Sequence, residues 1–250
     1  MTRARPGPCP GEPLSVPLHD LNPVERLARV ITALARHVAE ARPSPLTERY
    51  IDRLVAEGGL RSRLKDPSAA RAAVTELSGV DPEAAQLIEP LLGVTFSPTI
   101  LQASDAVNVI PSHASVEVDC RILPGQTGDD VRREVDAALA GFDDWEFDWT
   151  DLTSGNESPA PSPLSTAIES VMGELVPGAD IVPTHLCGFT DSRWFREAFP
   201  DIVAYGFCPY VTEDTMTMGG REHARDERIA VADVAFQARF FERLVPALLA

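Results

Sequence analysis

The sequence has no long hydrophobic run and no excess of positive charge. No apolar stretch approaches the ~20 residues that a helix needs to cross a bilayer, and no apolar stretch follows the two arginines at the N-terminus, so a secretory signal is not indicated. The 22 lysines and arginines are outnumbered by 38 aspartates and glutamates, which gives a net charge of −16. Binding to nucleic acid or to anionic lipid depends on basic patches, which this balance disfavours. We therefore expect a cytoplasmic protein that binds neither nucleic acid nor membrane.

Several motifs that carry chemistry are also absent. The four cysteines lie far apart and form no C-x-x-C pair, which favours reduced thiols. The sequence contains no Walker A loop, no G-x-G-x-x-G and no G-x-S-x-G elbow. Histidine is scarce, and three of the five lie in or beside polar segments where we expect exposed side chains: His19, His37 and His113.

The hydrophobic pattern of the first 150 residues predicts helices followed by strands. Prolines crowd residues 1–13, and we expect a loose arm there because proline removes backbone donors. A helix is predicted from Asn22, and several short helices over 46–92. From Val94 the apolar period changes to two, and the predicted elements are strands at 94–101, 114–122 and 145–149, with a helix capped by Thr127 between the last two.

Residues 151–163 have the composition of a linker. After them Ile168, Val171, Met172 and Leu175 mark a helix, and short strands are predicted at 181–182 and 201–206. The stretch from Val231 to Leu249 is typical of a long amphipathic helix. Strands that alternate with helices indicate an α/β layer in this part of the chain.

Two polar clusters stand out. The first joins Asn108-Val109-Ile110-Pro111 to the strand that ends in Asp119-Cys120-Arg121-Ile122-Leu123-Pro124-Gly125. The second joins Gly188-Phe189-Thr190-Asp191-Ser192-Arg193 to Tyr205-Gly206 and then to His223-Ala224-Arg225-Asp226-Glu227-Arg228. Taken alone, the first is typical of ordinary strand pairing, and a lone histidine near carboxylates is typical of a protein surface.

Together, in this order and spacing, the clusters resemble one family. It is the dinuclear zinc family of aminoacylase, acetylornithine deacetylase, succinyl-diaminopimelate desuccinylase and glutamate carboxypeptidase. The resemblance implies an α/β fold with an α+β, ferredoxin-like lid (dimerisation) domain over 14–150, which would carry a helical insertion at about 42–93 and lack its first strand. Residues 151–250 would then be the C-terminal part of an incomplete catalytic domain.

The resemblance also implies roles for single residues. Asn108 and Arg121 fall where the family binds substrate from the lid, and Gly188 and Thr190 fall on the loop that lines the substrate pocket. Arg121 lies on the polar face of its strand, so its guanidinium could hold a substrate carboxylate in a bidentate pair.

Metal binding follows from the resemblance as well. His223 falls on the family's last zinc ligand, and Asp226 or Glu227 would orient it. A complete family site holds two zinc ions, which lower the pKa of a bridging water while a glutamate takes the proton. The substrate class would be a small N-acyl amino acid or peptide, and the partner a second copy of the chain, bound through the lid.

The departures from the family pattern are as informative as the matches. The sequence contains no H-x-D triplet and no adjacent Glu-Glu pair, so most metal ligands and the general base are absent, and Pro13 stands where the family's lid has a histidine. We therefore expect a C-terminal fragment of a zinc-dependent amidohydrolase that cleaves amide bonds next to a carboxylate and is inactive alone. Two alternatives stay open, a non-catalytic dimerisation or regulatory module and one half of a split enzyme.

Overall fold

The computed structural model describes residues 2–6, 22–153, 155–222 and 224–249. Fourteen helices and strands and one 3-10 turn follow one another along this part of the chain. In chain order they are β1 (Thr2–Pro6), α1 (Pro23–Arg36), α2 (Pro45–Leu54), α3 (Gly58–Lys65), α4 (Ala70–Val80), α5 (Pro82–Ile88), the 3-10 turn Glu89–Leu91, β2 (Thr95–Gln102), β3 (Ser115–Arg121), α6 (Gly128–Ala138), β4 (Trp145–Trp149), α7 (Pro163–Leu175), α8 (Ser192–Ala198), α9 (Thr215–Gly219) and α10 (Val231–Leu249).

The four strands form one antiparallel sheet in the order β2-β3-β1-β4. Helices α1 and α6 share a hydrophobic core with this sheet, in which alternate residues of β3, Val116 and Val118, are fully buried. Apart from the helices between α1 and β2, the elements run β-α-β-β-α-β, which is the ferredoxin-like order. The predicted fold of the lid is therefore confirmed.

Strand β1 corrects one expectation about the start of the chain. Thr2–Pro6 is not a loose arm but an inner strand, because Thr2 pairs with Val118 on one side and with Trp149 on the other. The lid therefore has its first strand. The prolines misled the prediction because they begin only at Pro6, the last position of the strand, where a missing donor does least harm. The rest of the arm, including Pro13, lies outside the described residues.

Helices α2 to α5 pack around a core of their own, inserted between α1 and β2. Helices α2, α3 and α5 are each capped by a side chain that accepts a hydrogen bond from a backbone N–H of the first turn. These caps are Ser44, Glu57 and Asp81, respectively. The core consists mainly of leucine, isoleucine and alanine, among them Ile51, Leu64 and Ile88, all with no exposed surface. The short helices expected from the sequence are thus one packed unit.

Helix α10 packs against α7 in the last hundred residues, with Phe240 completely buried between them. The strands expected at 181–182 and 201–206 do not form in the described chain, since neither segment lies beside a pairing partner. Side chains hold the second segment instead: Ala204 donates its N–H to Ser158 and accepts from Arg196, both at 3.0 Å. In the part of the chain that the structure describes, no helix has the length and apolar character of a membrane span.

One of the three histidines expected at the surface is largely buried. The Nε2 atom of His37 lies 2.7 Å from a carboxylate oxygen of Glu134, and both side chains are shielded from solvent. This contact joins the end of α1 to α6. His113 is exposed as expected, and His19 lies outside the described residues.

Candidate functional site

A cavity of about 770 Å³ opens where the lid sheet meets the last hundred residues. The end of β3, the segment after β4 and residues 180–193 supply much of its lining. Three of the predicted substrate-binding residues line it although they are distant in sequence: Arg121, Gly188 and Thr190. The fold therefore brings the strand part of the first polar cluster and the Gly188–Thr190 part of the second to one cavity.

Arg121 is the last residue of β3 and is about half exposed in the cavity. Its Nη2 and Nε atoms lie 2.7 and 3.0 Å from the same oxygen of Asp119, Oδ2. Both contacts use one edge of the guanidinium and one carboxylate oxygen. The other edge can therefore take a second carboxylate in a bidentate pair.

Arg196 holds the loop that carries Gly188 and Thr190. From α8 its Nη1 donates to the hydroxyl of Ser192 at 3.1 Å, and its Nε donates to Asn156 at 2.7 Å. The hydroxyl of Ser192 in turn lies 3.3 Å from that of Thr190. The sequence analysis did not single out Arg196, although it lies in the same helix turn as the second cluster.

His185 and Glu157 form a second polar pair in the cavity wall that the sequence analysis also missed. The Nε2 atom of His185 lies 2.7 Å from Oε2 of Glu157. The imidazole is only 8% exposed, and its Nδ1 atom is buried with no hydrogen-bond partner. The sequence offers one signal for His185, which is its position three residues before Gly188 of the second polar cluster. Two residues after His185, burial raises the pKa of the Cys187 thiol.

Among the remaining predicted site residues, Asn108, Asp226 and Glu227 do not line the cavity. Asn108 lies in an exposed turn between β2 and β3. Asp226 is exposed and hydrogen-bonded to Arg228, which holds the pKa of its carboxyl below the usual range. Glu227 is likewise exposed, and His223 lies outside the described residues.

The described residues do not fit a zinc pair. A structural zinc ion takes four ligands and a catalytic one at least three from the protein, and no group of three or more histidine, cysteine, aspartate or glutamate side chains comes together among residues 2–6, 22–153, 155–222 and 224–249. No chemical step through zinc follows from their arrangement.

Comparison with known proteins agrees with the resemblance seen in the two clusters. The sequence model of the M20 peptidase dimerisation domain matches residues 16–144, more than half of the chain. A probable carboxypeptidase S-like protein of Dictyostelium discoideum is 24% identical over 165 residues, which are 63% of this chain and 30% of that relative.

Two solved structures share the fold over 99% of this chain. One is an M20 family metallo-carboxypeptidase of Sulfolobus solfataricus, with a TM-score of 0.58, 15% identity and 58% of its own length covered. The other is the dipeptidase Dug1p of Saccharomyces cerevisiae, with a TM-score of 0.61, 13% identity and 53% covered. The chain thus spans less than two thirds of each of these relatives. It belongs to the M20 family of metallopeptidases, whose dimerisation domain it carries.

Proposed function

We propose that the cavity binds a small N-acyl amino acid or peptide by its carboxylate, and that the chain is the lid and C-terminal part of a zinc-dependent, cytoplasmic amidohydrolase. The observation that carries this proposal is the meeting of Arg121, Gly188 and Thr190 at one cavity. The first comes from the lid and the other two from the loop before α8, so a ligand between them touches both sections of the chain.

The size of the cavity and the hydrogen-bonding groups of two of its residues suit this ligand. A volume of about 770 Å³ is within the range of ~300–1,000 Å³ that small-molecule sites span. The guanidinium of Arg121 offers an unused edge, which the carboxylate of a ligand can take in a bidentate pair. The hydroxyl of Thr190 adds a neutral hydrogen-bonding group.

In our proposal, this chain does not catalyse hydrolysis by itself. The sequence has no H-x-D triplet and no adjacent Glu-Glu pair, so it supplies neither most metal ligands nor the glutamate that takes the proton. Binding of the substrate's carboxylate is the part of the reaction that its own residues perform. A second function, dimerisation alone, is favoured by the match of the dimerisation domain to residues 16–144.

Titration of the purified chain with N-acetylglycine separates these two functions. We expect Arg121→Ala to raise the dissociation constant more than about tenfold, because a hydrogen bond to a charged group contributes ~1.5–3 kcal/mol. Arg243→Ala is the matched control, since Arg243 lies on α10 outside the cavity and pairs with Glu174. A pure dimerisation module would bind no N-acetylglycine, and equal affinity of both variants and the wild type would refute the role of Arg121.

A further inference from the structure

One face of helix α2 is turned towards the cavity, although α2 belongs to the inserted helices. Leu46, Tyr50 and Arg53 follow one another at the spacing i, i+4, i+7, which places them on the same side of a helix. Arg53 pairs with Asp180 at 3.1 Å, and Leu46 and Asp180 both line the cavity. The insertion thus supplies part of the cavity wall.

Tyr50 connects this face of α2 to Arg121 through Cys187. Burial raises the pKa of the Tyr50 hydroxyl, and the neighbouring Cys187 raises it further. The charge of Arg121 acts on the same thiol and lowers its pKa, against the larger rise that burial causes. Charges act in this way only on near neighbours. The guanidinium that would hold the ligand's carboxylate therefore lies near the face of α2 that carries Leu46.

The cavity wall also carries apolar side chains that are open to solvent. Leu152, Leu186 and Phe189 line it, although each is about half exposed or more, and Leu46 is half-buried. Apolar surface that stays exposed within a concave site is typical of a place that receives an apolar group of a ligand. Such a group gains free energy when it leaves water for this surface.

We propose that the ligand carries an apolar side chain next to its carboxylate, and that Leu46 of the inserted helices is the residue that selects this side chain. The inference rests on the proposed function, in which Arg121 binds the carboxylate. In an N-acyl amino acid the side chain branches from the carbon that bears the carboxylate, so it lies close to the group that Arg121 holds. The substrate class is thereby narrowed to N-acyl derivatives of leucine-like amino acids.

Two ligands that differ only in the side chain test the inference on the unmodified chain. N-acetyl-L-leucine adds an isobutyl group to N-acetylglycine and leaves the carboxylate and the amide unchanged. We expect N-acetyl-L-leucine to bind about tenfold more tightly in calorimetric titrations, as partial burial of a leucine side chain predicts. Equal affinity for both ligands, with the effect of Arg121→Ala intact, overturns this inference and leaves the proposed function in place. Binding of neither ligand overturns both.

Variants of α2 then assign the preference to Leu46. Leu46→Ala should reduce the preference for N-acetyl-L-leucine at least about threefold, because it removes most of the apolar contact, whereas Leu46→Met should retain it because the volume is conserved. Leu54→Ala is the matched control, since Leu54 lies on the same helix, packs against the core of the insertion and does not line the cavity. Equal ratios of dissociation constants in Leu46→Ala and Leu54→Ala would contradict the inference.

A charge at position 46 separates direct contact from a structural effect. We expect Leu46→Lys to shift the preference from N-acetyl-L-leucine towards N-acetyl-L-glutamate at least about fivefold, because the ammonium group attracts the second carboxylate of that ligand. A leucine with only a structural role would change both affinities by the same factor. An unchanged ratio of the two dissociation constants in Leu46→Lys would therefore overturn the role of Leu46.

Discussion

Asp130 shows at the scale of one residue how the lid holds together. Its Oδ2 atom accepts hydrogen bonds from the backbone N–H and the hydroxyl of Thr127 at 2.8 and 3.0 Å, which closes the start of α6. Its Oδ1 atom accepts from Arg42, ahead of the inserted helices, at 3.2 Å, and from Arg133. Led by the Thr127 backbone bond, these donors lower the pKa of the carboxyl to about 2.

The lowered pKa predicts how stability depends on pH. The ionised form is favoured in the folded chain, so its contribution is full above the ordinary pKa of 3.8 and is lost as the pH falls towards 2. We expect Asp130→Asn to lower the free energy of unfolding at pH 7 by about 1 kcal/mol, as for other helix caps, and to have little effect near pH 2.

Urea denaturation at the two pH values measures this difference. Asp129→Asn is the control, because Asp129 is the exposed neighbour in the same helix turn. The interpretation fails if both variants have the same stability at pH 7, or if the loss caused by Asp130→Asn is as large at pH 2 as at pH 7.

At the scale of one element, β2 is one of the two edge strands of the lid sheet. It pairs only with β3 among the described strands, and Ile100 and Leu101 are largely exposed on it. A bulge between Pro98 and Ile100 interrupts the pairing, and proline and bulges are devices that limit edge-to-edge contact. Beyond the bulge, Ile100 and Leu101 make the edge apolar. This part of the edge could therefore pack against a second copy of the sheet.

The match to the M20 dimerisation domain favours a homodimer, and we expect this edge to contribute to it. Leu101→Lys places a charge on the exposed edge and should weaken the dimer at least about tenfold, because lysine on an edge disfavours strand pairing. Val80→Lys, which changes a similarly exposed residue at the end of α4, should leave the dimer unchanged. Sedimentation velocity measures both, and a wild-type chain that stays monomeric at every concentration would contradict the expectation.

The elements that the sequence predicted well have their pattern within one segment. Alternation along Ser115–Arg121 and the helical period of Val231–Leu249 are local signals, and both elements form where expected. Strand β1 was missed because Thr2–Pro6 has little apolar pattern, and its partners on both sides make it a strand. Residues 201–206 show the opposite error, because a strand was predicted from their apolar run and none forms. No described strand lies beside them to pair with, so the segment is irregular.

Only those residues of the candidate site that belong to a sequence motif could be predicted from the sequence. Arg121, Gly188 and Thr190, to which the family resemblance assigns substrate binding, line one cavity, and that role stays a prediction. His185 and Arg196 could not be found in that way, because their partners Glu157 and Asn156 lie in a segment whose composition predicted only a linker. Such contacts depend on tertiary packing and leave no periodic trace in the sequence.

At the scale of the whole molecule, the chain combines the β-α-β-β-α-β elements of the lid with only part of the length of its relatives. It covers 58% and 53% of the two solved M20 structures it matches. In our account it carries the groups that bind the substrate but not the zinc pair of the family. The missing H-x-D triplet and Glu-Glu pair leave His223 as the single residue that the family pattern assigns to zinc.

The zinc content of the purified 250-residue chain tests this account most directly. The chain is incubated with zinc, and unbound zinc is removed by gel filtration. Elemental analysis then gives the number of zinc ions that remain bound to each chain. We predict fewer than two, because a zinc pair needs several nitrogen and oxygen ligands around each ion. Two tightly bound zinc ions per chain would contradict the account.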